Sequence, residues 1–355
     1  MDYRDSVTGA HVRVLTPGPA RDDLIYQTHP MWTPQSGHLV FNSDRTGSAR
    51  LPHALQMDTG VVRCLVPAPD GDLPHPDNWT LSREDGRLYL RAGDGLYVTT
   101  VADSFDGTPK VEALGHFDGL DGLHPISMSL DADERRVYFG ATFEPDASWG
   151  IVALDLDAGG YSTVVRVNFR VGHIQANPIT PGLIMFCHET GGDAPQRMWV
   201  VRVDGSELGP FYKETYDEWV THEVWWGADR AIFTVWPYDD AHRRQPHGVI
   251  SADLATGAAT EHSRFPAWHV HGSPDRHWAV ADDQQRNIWL IRIDTGERRL
   301  LTQGHNGEGF GTHPHPSFTP DGAAVVFNSS RNQTEDIFLV DIPEWDSLPE
   351  PSDLR

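Results

Sequence analysis

Apolar residues fall along this chain in short runs, each closed by Gly, Pro, Asp or Asn. Runs of this length, bounded by turn residues, predict β-strands. The pattern also repeats. Residues 8–47 read TGAHVRVLTPGPARDDLIYQTHPMWTPQSGHLVFNSDRTG, and residues 295–333 read TGERRLLTQGHNGEGFGTHPHPSFTPDGAAVVFNSSRNQ. Each copy has a Thr-Gly turn, a short strand, a loop, a His-Pro strand, a Pro-centred turn and an apolar strand ending in Phe-Asn-Ser. Weaker copies begin near His75, His124, His173, His222 and His269, so the starts at 29, 75, 124, 173, 222, 269 and 313 lie 44 to 49 residues apart. A period of about 40–50 residues with about four short strands per unit is the mark of a β-propeller. Seven copies predict an all-β, seven-bladed β-propeller over residues 1–355, with 345–355 an irregular tail.

The ring is expected to close through the N-terminus. The last copy runs through Ile337-Phe338-Leu339-Val340-Asp341 and then lacks a fourth strand before Pro343. Residues 10–16 supply an unmatched strand, His11-Val12-Arg13-Val14-Leu15, which aligns with the fourth strand of the preceding copy, Arg298-Arg299-Leu300-Leu301. Such closure removes a free sheet edge.

Composition adds limits. At 39% hydrophobic over 355 residues the chain can bury a core, and its 12 Trp and 33 Gly suit strands and tight turns. Two cysteines far apart, Cys64 and Cys187, make no disulfide framework. The opening Met1-Asp2-Tyr3-Arg4-Asp5-Ser6 has no apolar signal core, and no apolar run is long enough to span a membrane. A cytoplasmic protein is expected. The formal net charge of −23 argues against nucleic acid or an anionic membrane as partner. Only Lys110 and Lys213 are lysines, so an anionic ligand would have to be met by particular arginines.

Histidines carry the candidate chemistry. The innermost strand of each propeller blade lines the central channel, so histidines at the blade starts would form a ring. His29, His75 and His124 are each followed by proline and read as turn chemistry. His269 and His315 each stand six residues before an acidic turn residue, Asp275 and Asp321, and should meet near the axis. In an extended segment His313 projects to the same side as His315, about 7 Å away. Three imidazoles plus open positions describe a catalytic metal site. A polar, hydrogen-bonded channel explains the same residues without a metal, and His271 is a rival to His269. Residues 172–226 are the other dense stretch. There His222 opens the fifth blade and Arg197 lies on the fourth, a pairing of possible general base and anion anchor. A solvated strand arginine is the plainer reading of Arg197, and Cys187 reads as a small core residue.

At these residues the chain resembles the oligogalacturonate lyases, seven-bladed β-propeller polysaccharide lyases. The resemblance spans nearly the whole chain. It is carried by FCHE at 186–189, RMW at 197–199, THE-x-W at 221–225 and THPHPSFTPDG at 312–322, with the commoner SDRTG turn at 43–47. It implies manganese-dependent β-elimination of short α-1,4-linked galacturonate oligomers, small anionic saccharides. His222 matches the family's Brønsted base, Arg197 its substrate-contacting arginine, and His269, His313 and His315 its metal-binding histidines. Arg45, His173 and His188 are expected to add substrate contacts. One departure stands out: where the family has a metal-binding Gln, three residues before the first His of His-Pro-His, this chain has Phe310. A fourth ligand would come from Glu308, Asn306, His271 or water. The chain also lacks an insertion that longer members carry in blade six. Elimination on another uronate, such as a glucuronate-containing oligomer, and a non-catalytic TolB-like scaffold are the alternatives. Oligomeric state is not legible.

Overall fold

The structure, a computed structural model, describes residues 2–47, 50–67, 76–116, 128–215, 218–237, 248–307, 309 and 311–353. His75, His124, Glu308 and Phe310 lie outside the described residues. Among the described residues, seven antiparallel sheets, six of four strands and one of five, make the architecture a seven-bladed β-propeller. No helix among the described residues is long and apolar enough to cross a membrane.

The chain divides into two compact units, one of Met1–Gln27, Phe41–Arg50 and Tyr216–Arg355, the other of Thr28–Val40 and Leu51–Thr215. The first holds blades five to seven. Blade five is Glu218–Trp225, Arg230–Pro237, Gly248–Asp253 and Ala259–Ser263. Blade six is Ala267–Gly272, Trp278–Asp283, Ile288–Arg292 and Arg298–Thr302. Alternate residues of these strands turn to opposite faces, so each blade is apolar on both and packs against its neighbour. Val224, Ile232 and Val249 of blade five share a core with Val270, Ala279, Ala281 and Ile291 of blade six.

Blade seven is built from both ends of the chain. Ser317–Phe318, Ala324–Ser329 and Asp336–Asp341 are joined by His11–Val14, with Val12 opposite Val340 and Val14 opposite Phe338. Val12 is fully buried and Val14 nearly so, in one core with Phe327, Phe338 and Leu290. The Asp341 carboxylate accepts from Arg13 at 2.7 Å and lies 2.9 Å from His11 Nδ1. The ring thus closes through the N-terminal strand. A further strand, Asp2–Arg4, pairs outside it, which the repeat did not foretell.

The second unit holds blades two to four. Blade four is Val171–Ala176, Leu183–His188, Met198–Arg202 and Gly209–Pro210. Its Ile174, Ile184 and Phe186 pack with Tyr138, Ile151 and Val165 of blade three, which is Met128–Leu130, Arg136–Phe143, Ser148–Asp155 and Tyr161–Val167. Blade one departs from the even pattern. Its innermost strand is only Asp22–Asp23, with an isolated bridge at Trp32 and Leu39. His29, a repeat start, lies between these in no strand; its Nε2 is 3.0 Å from the Met128 carbonyl.

Candidate active site

The innermost strands carry local irregularities where the histidines sit. Pairing shifts register between Thr221 and Val224 in blade five, between Ala267 and Val270 in blade six, and between Gly172 and Gln175 in blade four. An extra residue in one strand bends it and re-aims side chains. His222, His173 and His315 also have left-handed backbone, at φ 58°, 46° and 46°. Such backbone costs about 1–3 kcal/mol per residue and gathers at functional sites. Prolines add to this in blade seven, because Pro314 and Pro316 have no N–H for the ladder. His313 and His315 therefore precede the strand Ser317–Phe318 instead of lying in it.

In the first unit these segments bring four imidazoles together. The ring centre of His269 lies 4.1 Å from His315, 5.4 Å from His313 and 4.2 Å from His222. His313 and His315 are 6.1 Å apart with ring planes 20° from parallel. Tyr26 joins them: its hydroxyl is 2.5 Å from His222 Nδ1, and its ring meets His315 edge-on at 5.0 Å. Trp268 closes one flank, 4.9 Å from His222 and 6.4 Å from His313, backed by Trp236 at 5.4 Å.

Buried partners hold this arrangement. Asp282, fully buried, accepts the His269 backbone N–H at 2.6 Å, and its oxygens lie 3.0 and 3.1 Å from His269 Nδ1. A carboxylate there keeps the proton on Nδ1 and leaves Nε2 as the donor toward a metal. Burial pushes the Asp282 carboxyl up to about 7, against the lowering effect of the His269 N–H. Burial, then the charge of Arg286, lowers His313, with Asp282 opposing. A neutral imidazole is the form that binds a metal. Asn328 ties two segments together: its amide donates to the His313 carbonyl at 3.4 Å, and its Oδ1 accepts from Leu24 N–H at 2.9 Å. The donor set of His269, His313 and His315, with Asp282 behind it, fits a divalent ion that accepts imidazole nitrogen.

Other candidates are engaged elsewhere. His271 accepts from the Phe318 N–H at 3.4 Å and is lowered to about 4 by burial, so it packs against blade seven instead of joining the cluster. Arg45 pairs with the buried Asp22 and donates to Ser43 Oγ at 3.0 Å. Asn306 is exposed.

The second unit has its own polar cluster on blade four. Arg197 is 4% exposed, which sets aside the solvated reading, and its guanidinium lies 3.9 Å from a Glu189 oxygen. His173 Nε2 is 3.6 Å from the same oxygen. The His188 ring lies 4.5 Å from Phe169, tilted by 33°, and its pKa is lowered by burial, then by Arg197. His173, Cys187 and Glu189 bring one ligand atom each within 4.8 Å of one another. The Arg197 cation beside Glu189 disfavours a metal ion there.

A family model described as oligogalacturonate lyase matches residues 136–346. The chain belongs to the oligogalacturonate lyase family. An oligogalacturonate lyase of Dickeya dadantii (strain 3937) is 26% identical over 378 residues, covering 96% of both chains. An oligogalacturonide lyase of Pectobacterium atrosepticum is 27% identical over 216 residues, 55% of each. Among solved structures, an oligogalacturonate lyase in complex with manganese superposes with a TM-score of 0.84 at 20% identity, covering 97% of this chain and 96% of that one. An oligogalacturonate lyase from Vibrio parahaemolyticus gives 0.83 at 18% identity, covering 97% of both. Tyr26, Asp282 and Asn328 are the residues of this oligogalacturonate lyase family member that sequence reasoning did not mark. Tyr26 and Asn328 act across 196 and 304 residues of the chain, and Asp282 acts on His269 from the adjacent strand of blade six.

Proposed function

We propose that this chain cleaves short α-1,4-linked galacturonate oligomers by β-elimination, with a divalent ion, manganese by the resemblance, held by His269, His313 and His315. The observation that carries the reading is the gathering of His315, His222 and His313 about His269, with ring centres 4.1, 4.2 and 5.4 Å from it. Elimination removes the proton on C5 of a uronate and expels the oxygen on C4. A bound divalent ion would neutralise the uronate carboxylate, which otherwise resists the negative charge that develops as C5–H breaks. His222, neutral, takes that proton on the ring nitrogen that does not face Tyr26. Trp268 shields the imidazoles on one side, which strengthens each electrostatic contact by keeping water out. Arg197 is proposed to hold a uronate carboxylate with its two-pronged guanidinium, and its burial supports a fixed orientation. His173 and His188 would add contacts to the saccharide on blade four. Arg45 would contribute only by exchanging Asp22 for substrate.

The test is incubation with digalacturonate, following ultraviolet absorbance of the conjugated unsaturated uronate, after EDTA treatment and after Mn²⁺ is restored. A rise that EDTA abolishes and Mn²⁺ restores is expected. No rise in folded, manganese-loaded protein would reject galacturonate, and a rise on a glucuronate oligomer instead would replace the substrate while keeping the chemistry.

A further inference from the structure

We propose that Tyr26 is a positioning residue for His222: its phenol oxygen accepts a hydrogen bond from Nδ1–H, which keeps the ring proton there and leaves the Nε2 lone pair to take the substrate proton. The inference rests on His222 being the base. The contact is short, 2.5 Å from the hydroxyl to Nδ1. A neutral imidazole carries one proton, so the nitrogen that holds it cannot act as base. If the phenol were the donor, the proton would sit on Nε2, and the nitrogen turned away from Tyr26 could not accept.

Tyr26 is itself well held. Its ring packs edge-on to His315 at 5.0 Å and to His269 at 6.0 Å, with ring planes 68° and 82° apart. The segment just before it is anchored twice, since Asp22 N–H donates to the Glu335 carbonyl at 2.8 Å and Leu24 N–H to Asn328 Oδ1 at 2.9 Å. His222 needs such a partner. Its left-handed backbone within a register shift takes the ring out of the ordinary pleat, so the strand alone does not set its direction. One side chain therefore touches the base through its oxygen and two of the three proposed metal-binding imidazoles through its ring.

Tyr26→Phe keeps the ring contacts and removes only the hydroxyl. Nitrogen-15 NMR of histidine-labelled protein, loaded with diamagnetic Zn²⁺, reads the tautomer of each imidazole, and His222→Gln identifies the His222 signals. The expected wild-type result is a proton on Nδ1 of His222, with both tautomers populated in Tyr26→Phe. In the manganese-loaded enzyme the same substitution should lower kcat on digalacturonate about 10- to 100-fold while KM stays within about twofold. A wild-type proton on Nε2, or wild-type kcat in folded Tyr26→Phe, would overturn the proposal. The tautomer measurement needs no turnover, so it decides the role of Tyr26 even if galacturonate is not the substrate.

Discussion

Asp282→Asn exchanges one carboxylate oxygen for an NH₂ group in a fully buried position and should uncouple metal binding from folding. In the wild type the carboxylate accepts the His269 backbone N–H at 2.6 Å and faces His269 Nδ1 at 3.0 and 3.1 Å. Asparagine has one acceptor oxygen. If that oxygen keeps the backbone N–H, its NH₂ faces Nδ1 and stabilises the tautomer with the proton on Nε2. That proton occupies the lone pair a metal needs. The loss of one charge-assisted hydrogen bond is worth about 1.5–3 kcal/mol. Removing an outer partner of a metal-binding histidine weakens affinity about 10- to 100-fold, or about 1.4–2.8 kcal/mol, and the two figures agree. Folding should respond differently. Burial pushes the Asp282 carboxyl up to about 7, so its ionised form is already penalised and the neutral amide removes that penalty. Metal-free Asp282→Asn should therefore unfold within about 1 kcal/mol of the wild type. Calorimetric titration with Mn²⁺ and urea unfolding of metal-free protein read the two quantities separately. Wild-type manganese affinity in the variant would refute the assigned role of Asp282, and with it the tautomer assigned to His269.

His222→Ala should lower turnover by about 10²- to 10⁴-fold with manganese content unchanged, and loss of the metal would instead make His222 a ligand. Arg197→Lys should lower kcat/KM about 10- to 100-fold, because an ammonium cannot bind a carboxylate through two parallel bonds, and full activity would exclude that anchor. His305 is fully buried between Thr302 Oγ1 at 3.0 Å and Ser329 Oγ at 3.1 Å, and burial lowers it to about 3. Its pKa is lower folded than unfolded, so the unfolded chain takes up the extra proton; stability is present above about pH 6.5 and lost as pH falls toward 3. Between pH 7 and 4.5 the wild type should lose about 3 kcal/mol more than His305→Gln by urea unfolding, and an equal loss in both would refute the assignment.

Much of the fold was legible because the signals that make a propeller are local. Apolar runs such as Leu39-Val40-Phe41 and Val325-Val326-Phe327 have the length of strands, turn residues bound them, and the unit recurs. Even closure could be read, since the unmatched strand His11-Val12-Arg13-Val14-Leu15 supplies the fourth strand that the last repeat lacks. His222, His269, His313 and His315 stood out because histidine recurs at one phase of the repeat. Their supporting residues carried no such mark. Tyr26 meets His222 across 196 residues, and Leu24 meets Asn328 across 304. Asp282 lies at the end of the neighbouring strand of blade six, where Asp282-Asp283 follow an apolar run and read as a turn. Tertiary structure also decided which similar residues take part. His271 and His269 share a strand two residues apart, yet only His269 faces the cluster, while His271 packs toward Phe318. The physical reason is the register shift between Ala267 and Val270, which breaks the alternation that would have put both on one face. Period and composition determine that there are blades and where histidines begin them. Bulges, left-handed backbone and contacts between distant segments decide where those histidines point and which carboxylate or phenol sets their protons.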